Sequence, residues 1–120
     1  MSSNVDLPPQ LQEQLLRLQQ LQQTLQAIIA QRQQLELENT EIDRALDELE
    51  KMPDDGLVYK SVGSILINSK KKNLIEELRE RKELTMTRIT VLKKQQSRSE
   101  NRLNELQQLI QERIKPSTSM

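Results

Sequence analysis

Residues 52–67 read Met52-Pro53-Asp54-Asp55-Gly56-Leu57-Val58-Tyr59-Lys60-Ser61-Val62-Gly63-Ser64-Ile65-Leu66-Ile67, and this stretch decides how the rest of the 120-residue chain is arranged. Pro53 followed by Asp54-Asp55-Gly56 stops any helix that precedes it, because proline removes a donor and glycine and aspartate favour turns. Leu57–Lys60 and Ser64–Ile67 are rich in β-branched and aromatic residues, with Ser61-Val62-Gly63 between them. They predict a β-hairpin in which Gly63 supplies the backbone freedom of a tight turn. An irregular loop is the alternative. Yet a plain helix–helix connection needs only a few residues, so a spacer this apolar requires another explanation.

Strand alternation puts Leu57 and Tyr59 on one face and Val58 on the other, while Ile65 and Ile67 oppose Leu66. Both faces of the hairpin are therefore apolar. A lone two-stranded hairpin is marginal in water and exposes two edges of unpaired backbone groups. The expectation is an obligate oligomer. In it Leu57, Val58, Tyr59, Val62, Gly63, Ile65, Leu66 and Ile67 join hairpins of several chains into a closed or nearly closed sheet.

Working outward, the flanks are two helical arms of similar length. In the first, one column reads Leu21, Ile28, Leu35, Ile42, Leu49 and its companion Leu11, Leu18, Leu25, Arg32, Asn39, Leu46. The columns are offset alternately by three and four residues, the pattern of a left-handed coiled coil. In the second arm the columns are Ile75, Lys82, Ile89, Gln96, Leu103, Ile110 and Leu78, Thr85, Leu92, Ser99, Leu106, Arg113. Leu7-Pro8-Pro9 marks the start of the first helix, and Asn68 or Ser69 can cap the second. The predicted order is a tail (1–8), a helix (9–52), the connector (53–68), a helix (69–115) and a second tail (116–120), with both tails flexible. The fold class is mostly α: a long antiparallel coiled-coil hairpin carrying one β-hairpin at its connecting end. Each arm would run roughly 65 Å at 1.5 Å per residue.

Polar residues at Arg32, Asn39, Lys82 and Gln96 interrupt the seam. They either fix register and orientation or mark a splayed, wet segment. Lys70, Lys71 and Lys72 oppose the dipole of the second helix, and either serve Asp54, Asp55 or a partner, or form a solvated turn. Glutamine is dense from Gln10 to Gln34, but the unbroken leucine column argues for an ordered helix there.

Composition narrows the function. Hydrophobic residues make up 34% and aromatics 1% of the chain, too few for a thick core but enough for a leucine seam. The 18 basic and 18 acidic residues balance, which argues against a general polyanion binder. Cysteine and histidine are absent, which removes disulfides, thiolate chemistry and the commonest acid–base and metal side chains. Glu36, Glu38, Glu41, Asp43, Asp47, Glu48 and Glu50 fall at helical spacing as a solvated face. No nucleophile–base pair or phosphate loop stands out. The expectation is therefore no enzyme activity, no cofactor and no metal. Without a long apolar run or leader, a soluble, unexported chain is expected.

The pattern Val58-Tyr59-Lys60-x-Val62-Gly63 followed by an apolar strand, set between two coils, resembles the β class of the prefoldin family. It is similar to the archaeal β subunits and, among the eukaryotic β-class subunits, to subunit six. One hairpin rather than two matches the β class. The resemblance covers nearly the whole chain. It implies a hexamer of two α and four β subunits, with a double β-barrel hub and six coiled-coil tentacles. It further implies a cytoplasmic, ATP-independent chaperone that holds unfolded proteins and passes them to a group II chaperonin, with no nucleic acid or membrane partner.

In that setting the free ends of the arms become the candidate client site, because there the seam has no further layer to cover it. The candidates are Leu7, Leu11, Leu15 and Leu16 on the first arm and Leu106, Leu109, Ile110 and Ile114 on the second. Leu11, Leu106 and Ile110 also fit ordinary seam positions. Two rival readings remain at this point. One is a structural or tethering coiled coil, which leaves the apolar hairpin unexplained. The other is a nucleic-acid-binding arm using Arg79, Arg81, Lys82, Arg88, Lys93, Lys94, Arg98 and Arg102, which lacks an aromatic stacking platform.

Overall fold

The computed structural model describes residues 7–114. Its element order is α1 (Pro9–Lys51), β1 (Val58–Val62), β2 (Ile65–Ser69) and α2 (Lys71–Ile114). Of the expected tails, residues 1–6 and 116–120 lie outside the described residues, as does Lys115. α1 begins where proline is tolerated, at its first helical position, and Gln12 N donates to Pro8 O at 3.0 Å to close the first turn. It ends just before Met52. There Gly56 N donates to Pro53 O at 2.9 Å, closing a β-turn over Asp54 and Asp55. A Cβ on Gly56 would sit 3.1 Å from both Met52 Cε and Pro53 O, so the close approach itself calls for glycine.

β1 and β2 pair antiparallel, with Val58 opposite Ser69, Lys60 opposite Ile67 and Val62 opposite Ile65. The turn is therefore Gly63-Ser64, and Val62 belongs to the strand rather than to the turn expected for it. Gly63 has φ 61° and is the only residue with positive φ among the described residues. Positive φ at the first turn position alone is the signature of a type II′ turn, whose twist suits a two-residue hairpin. A second correction concerns Asn68 and Ser69. They end β2 instead of capping α2, and the Lys70 carbonyl accepts the first helical bond, from Leu74 N at 3.0 Å.

The residues group into two compact units. Among the described residues, one comprises residues 7–31 and 92–114; the other is Arg32–Val91. Both helices contribute to each. In the terminal unit Leu11, Leu106 and Ile110 form a buried cluster, and Leu7, Leu15, Leu18 and Leu21 pack against it. Arg113 donates to Gln10 Oε1 at 2.8 Å, so the start of α1 lies beside the end of α2 and the helices are antiparallel. In the hairpin unit Ile42, Leu49, Val58, Thr85 and Ile89 are buried. Every residue of the seam columns is sheltered except Arg113. The seam is thin: no side chain among the described residues is fully enclosed.

Because no atom lies within 4 Å of a Cβ built on Gly63, substitution there tests backbone conformation alone. Gly63→Ala should cost about 1–2 kcal/mol, read as a lower urea midpoint at unchanged slope. An unmoved midpoint would mean the turn adopts another conformation.

Candidate functional site

Two apolar surfaces stand out, one in each unit. In the hairpin, directly opposed residues share a face, so Val58, Lys60, Val62, Ile65, Ile67 and Ser69 form one face. Leu57, Tyr59, Ser61, Leu66 and Asn68 form the other. The base of the first face is covered by the chain's own helices. Val58 is buried, and Lys60 forms a short ion pair with Glu77 of α2. Beyond that base the cover ends: Val62, Ile65 and Ile67 are 48–62% exposed, and on the second face Leu57, Tyr59 and Leu66 are 56–69% exposed. Of the eight residues named from sequence for assembly, one is buried by this chain. Gly63 forms the turn, and the other six are open to solvent.

Flanking the hairpin, the cations of α2 find carboxylates. Lys71 Nζ donates to the Met52 carbonyl at 2.7 Å and lies 3.2 Å from Asp54 Oδ1. It thereby caps the C-terminal end of α1. This gives Lys71 a structural use, as one reading of the lysine triplet expected. Arg79 reaches Glu50 at 3.8 Å, Arg81 reaches Glu38 at 3.6 Å and Lys82 reaches Asp43 at 2.5 Å. Each pair is open to solvent on at least about a third of its side-chain surface and contributes at most about 1 kcal/mol. Together they favour this register and remove three residues from the basic set considered for nucleic acid. Two charged seam residues are likewise paired, Arg32 with Glu36 at 2.6 Å and Lys82 with Asp43. Asn39 is not; its Oδ1 is buried without a hydrogen-bond partner, as is Gln14 Oε1.

In the terminal unit the eight tip candidates divide. Leu11, Leu106 and Ile110 are buried in the cluster, and Leu7 and Leu15 pack against it. These five belong to the unit's own core, together with Leu18 and Leu21. Leu16 (56%), Leu109 (41%) and Ile114 (57%) are exposed. The contact surface available without opening the seam is thus these three side chains. Sequence reasoning also passed over Leu37, Leu84, Met86 and Val91, exposed apolar residues of the hairpin unit. They lie outside both seam columns, which was the available signal. Among the described residues no group of three His, Cys, Asp or Glu side chains could hold a metal ion. No helix among them is long and apolar enough to cross a membrane.

The comparisons with known proteins agree with this architecture. The family model described as Prefoldin subunit matches residues 12–117. The prefoldin subunit beta of Methanothrix thermoacetophila is 45% identical over 109 residues, covering 91% of each chain. That of Archaeoglobus fulgidus is 45% identical over 111 residues, covering 92% of this chain and 96% of its own. Among solved structures, the prefoldin beta subunit from Thermococcus strain KS-1 superposes with a TM-score of 0.81 at 39% identity. That match covers 92% of this chain and 97% of the other.

The division of the tip residues can be checked by stability. Leu16→Ser and Ile114→Ser should change unfolding free energy by no more than about 0.5 kcal/mol. Leu11→Ser and Ile110→Ser should each cost about 2–5 kcal/mol, seen as a lower thermal midpoint. Equal losses for all four would place Leu16 and Ile114 in the core.

Proposed function

The chain belongs to the prefoldin family, as a chaperone subunit of its β class, and from that premise we propose how its two apolar surfaces divide the work. Prefoldin subunits assemble with other prefoldin subunits, and the hairpin is the assembly element. We assign it to a hexamer of two α-type and four β-type chains, with the hairpins closed into a double β-barrel hub. The observation that carries this reading is that one chain buries Val58 alone and leaves Leu57, Tyr59, Val62, Ile65, Leu66 and Ile67 exposed. Covering these six contributes on the order of 5–10 kcal/mol per chain. Association costs about 4–15 kcal/mol, so a single pair of hairpins is marginal. A closed ring, in which every hairpin has two neighbours and no free edge, is favoured.

The terminal unit holds the client. Leu16, Leu109 and Ile114 offer an unfolded chain roughly 1 kcal/mol each, which alone corresponds to binding weaker than about 1 mM. Several arms acting on one client raise the effective concentration and hold it far more firmly. Each contact still breaks quickly, so release needs no nucleotide. The client is then free to pass to a higher-affinity acceptor, which we take to be a group II chaperonin in the cytoplasm.

The test is the combined variant Leu16→Ser, Leu109→Ser, Ile114→Ser, assembled with an α-type subunit. Mass photometry should show the same hexamer, while light scattering of a diluted, chemically denatured protein should show most of the aggregation suppression gone. Full suppression by this variant would refute the tip mechanism. Failure of the wild-type chain to assemble would refute the hub.

A further inference from the structure

The charge balance of the whole chain conceals a local separation. In the hairpin unit, Arg79, Arg81 and Lys82 of α2 pair with carboxylates of α1. In the terminal unit that partnership is missing. α1 carries no Asp or Glu between Glu13 and Glu36, a stretch dense in glutamine. α2 carries Lys93, Lys94, Arg98 and Arg102 there, with Glu100 as the sole carboxylate among them. None of these four cations has an ion-pair partner among the described residues.

Three of the four are aligned. Lys94, Arg98 and Arg102 recur every four residues, so they form one row along a single face of α2. Like charges at that spacing repel and weaken the helix, and no ion pair among the described residues relieves the row. Arg98 and Arg102 line a cleft with Thr24 and Ile28 of α1 and with Gln95 and Ser99. Two guanidinium groups, a partly covered apolar side chain and neutral hydrogen-bonding groups therefore meet along one groove. The arrangement suits an anion that also brings some apolar or amide surface.

We propose that this row is a second client contact, taking acidic stretches of extended polypeptide; the proposal rests on the client-holding reading above. The spacing supports a polypeptide. Four helical residues advance about 6 Å, and alternate residues of an extended chain advance about 6.5–7 Å. Asp or Glu at every second position of an extended segment thus meets successive cations of the row. Nucleic acid fits less well. The sole aromatic, Tyr59, lies in the hairpin, so no platform for base stacking accompanies the cations. The row complements the tips, because stretches rich in acidic residues offer little to Leu16, Leu109 and Ile114.

The experiment uses the chain assembled with an α-type subunit and a fluorescent peptide carrying glutamate at alternate positions, followed by anisotropy. The wild-type assembly should bind the peptide, more weakly as salt rises. The variant Lys94→Gln, Arg98→Gln, Arg102→Gln should bind about tenfold more weakly, the effect of losing three exposed ion pairs. Glutamine keeps the helix propensity of the residues it replaces, and circular dichroism verifies that the helix is retained. Unchanged binding by this variant, or equal binding of a peptide with glutamine in place of glutamate, overturns the proposal. Tighter binding of a single-stranded RNA oligonucleotide, lost in the same variant, would reassign the row to nucleic acid. The variant at Leu16, Leu109 and Ile114 should keep its affinity for the acidic peptide. If the tips prove irrelevant to aggregation suppression, that reading fails while the peptide result stands on its own.

Discussion

A two-stranded sheet cannot cover itself. Every strand in the hairpin has one paired and one unpaired edge, and both of its faces carry apolar side chains. Within the hairpin the chain itself buries only Val58 and partly covers Lys60 and Ser69. Everything toward the Gly63-Ser64 turn remains open. The remainder of the molecule follows from this constraint. In the assembly we propose, the missing cover comes from the hairpins of other chains, and the arms stay free because that assembly uses the hairpin alone.

The arms solve a different problem, that of forming a definite pair from a seam one residue deep. Leucine columns alone permit several registers and either orientation. Here orientation is set by the connection through the hairpin. Register is favoured by cross-helix pairs such as Lys82 with Asp43 and Arg81 with Glu38. Asn39 carries the cost, since its unpartnered buried oxygen is worth about 1–3 kcal/mol of lost stability. Such a residue is tolerated where the alternative registers are worse. Glutamine replaces carboxylates in the terminal half of α1, so there the pairing ends and a row of cations on α2 is left without partners.

Much of this was legible in the sequence because it depends on period. A seven-residue repeat places Ile42, Leu49, Ile89 and Ile110 in the seam whatever surrounds them, and all four are buried. The polar members Arg32, Asn39, Thr85 and Gln96 were placed there by the same count and are sheltered too. The existence of the hairpin was readable from its β-branched runs. Its turn was read early because Val62 was grouped with the turn rather than with the strand that a β-branched residue prefers. The capping of α2 was misread for a related reason: Asn68 and Ser69 can cap a helix or end a strand, and pairing with Tyr59 and Val58 decided it. Exposure at the free ends was less accessible. Whether Leu15 packs while Leu16 does not depends on where the partner helix lies, and Leu7 joins the core from outside the helix.

The most direct test of the central constraint is hydrogen–deuterium exchange across Leu57–Ser69, compared between the chain assembled with an α-type subunit and the same chain diluted until it dissociates. Edge amides that gain partners in a closed sheet should exchange far more slowly in the assembly, while amides in the middle of α1 and α2 change little. Equally fast exchange of the hairpin in both states would contradict the account, because it would mean that no neighbouring chain covers it.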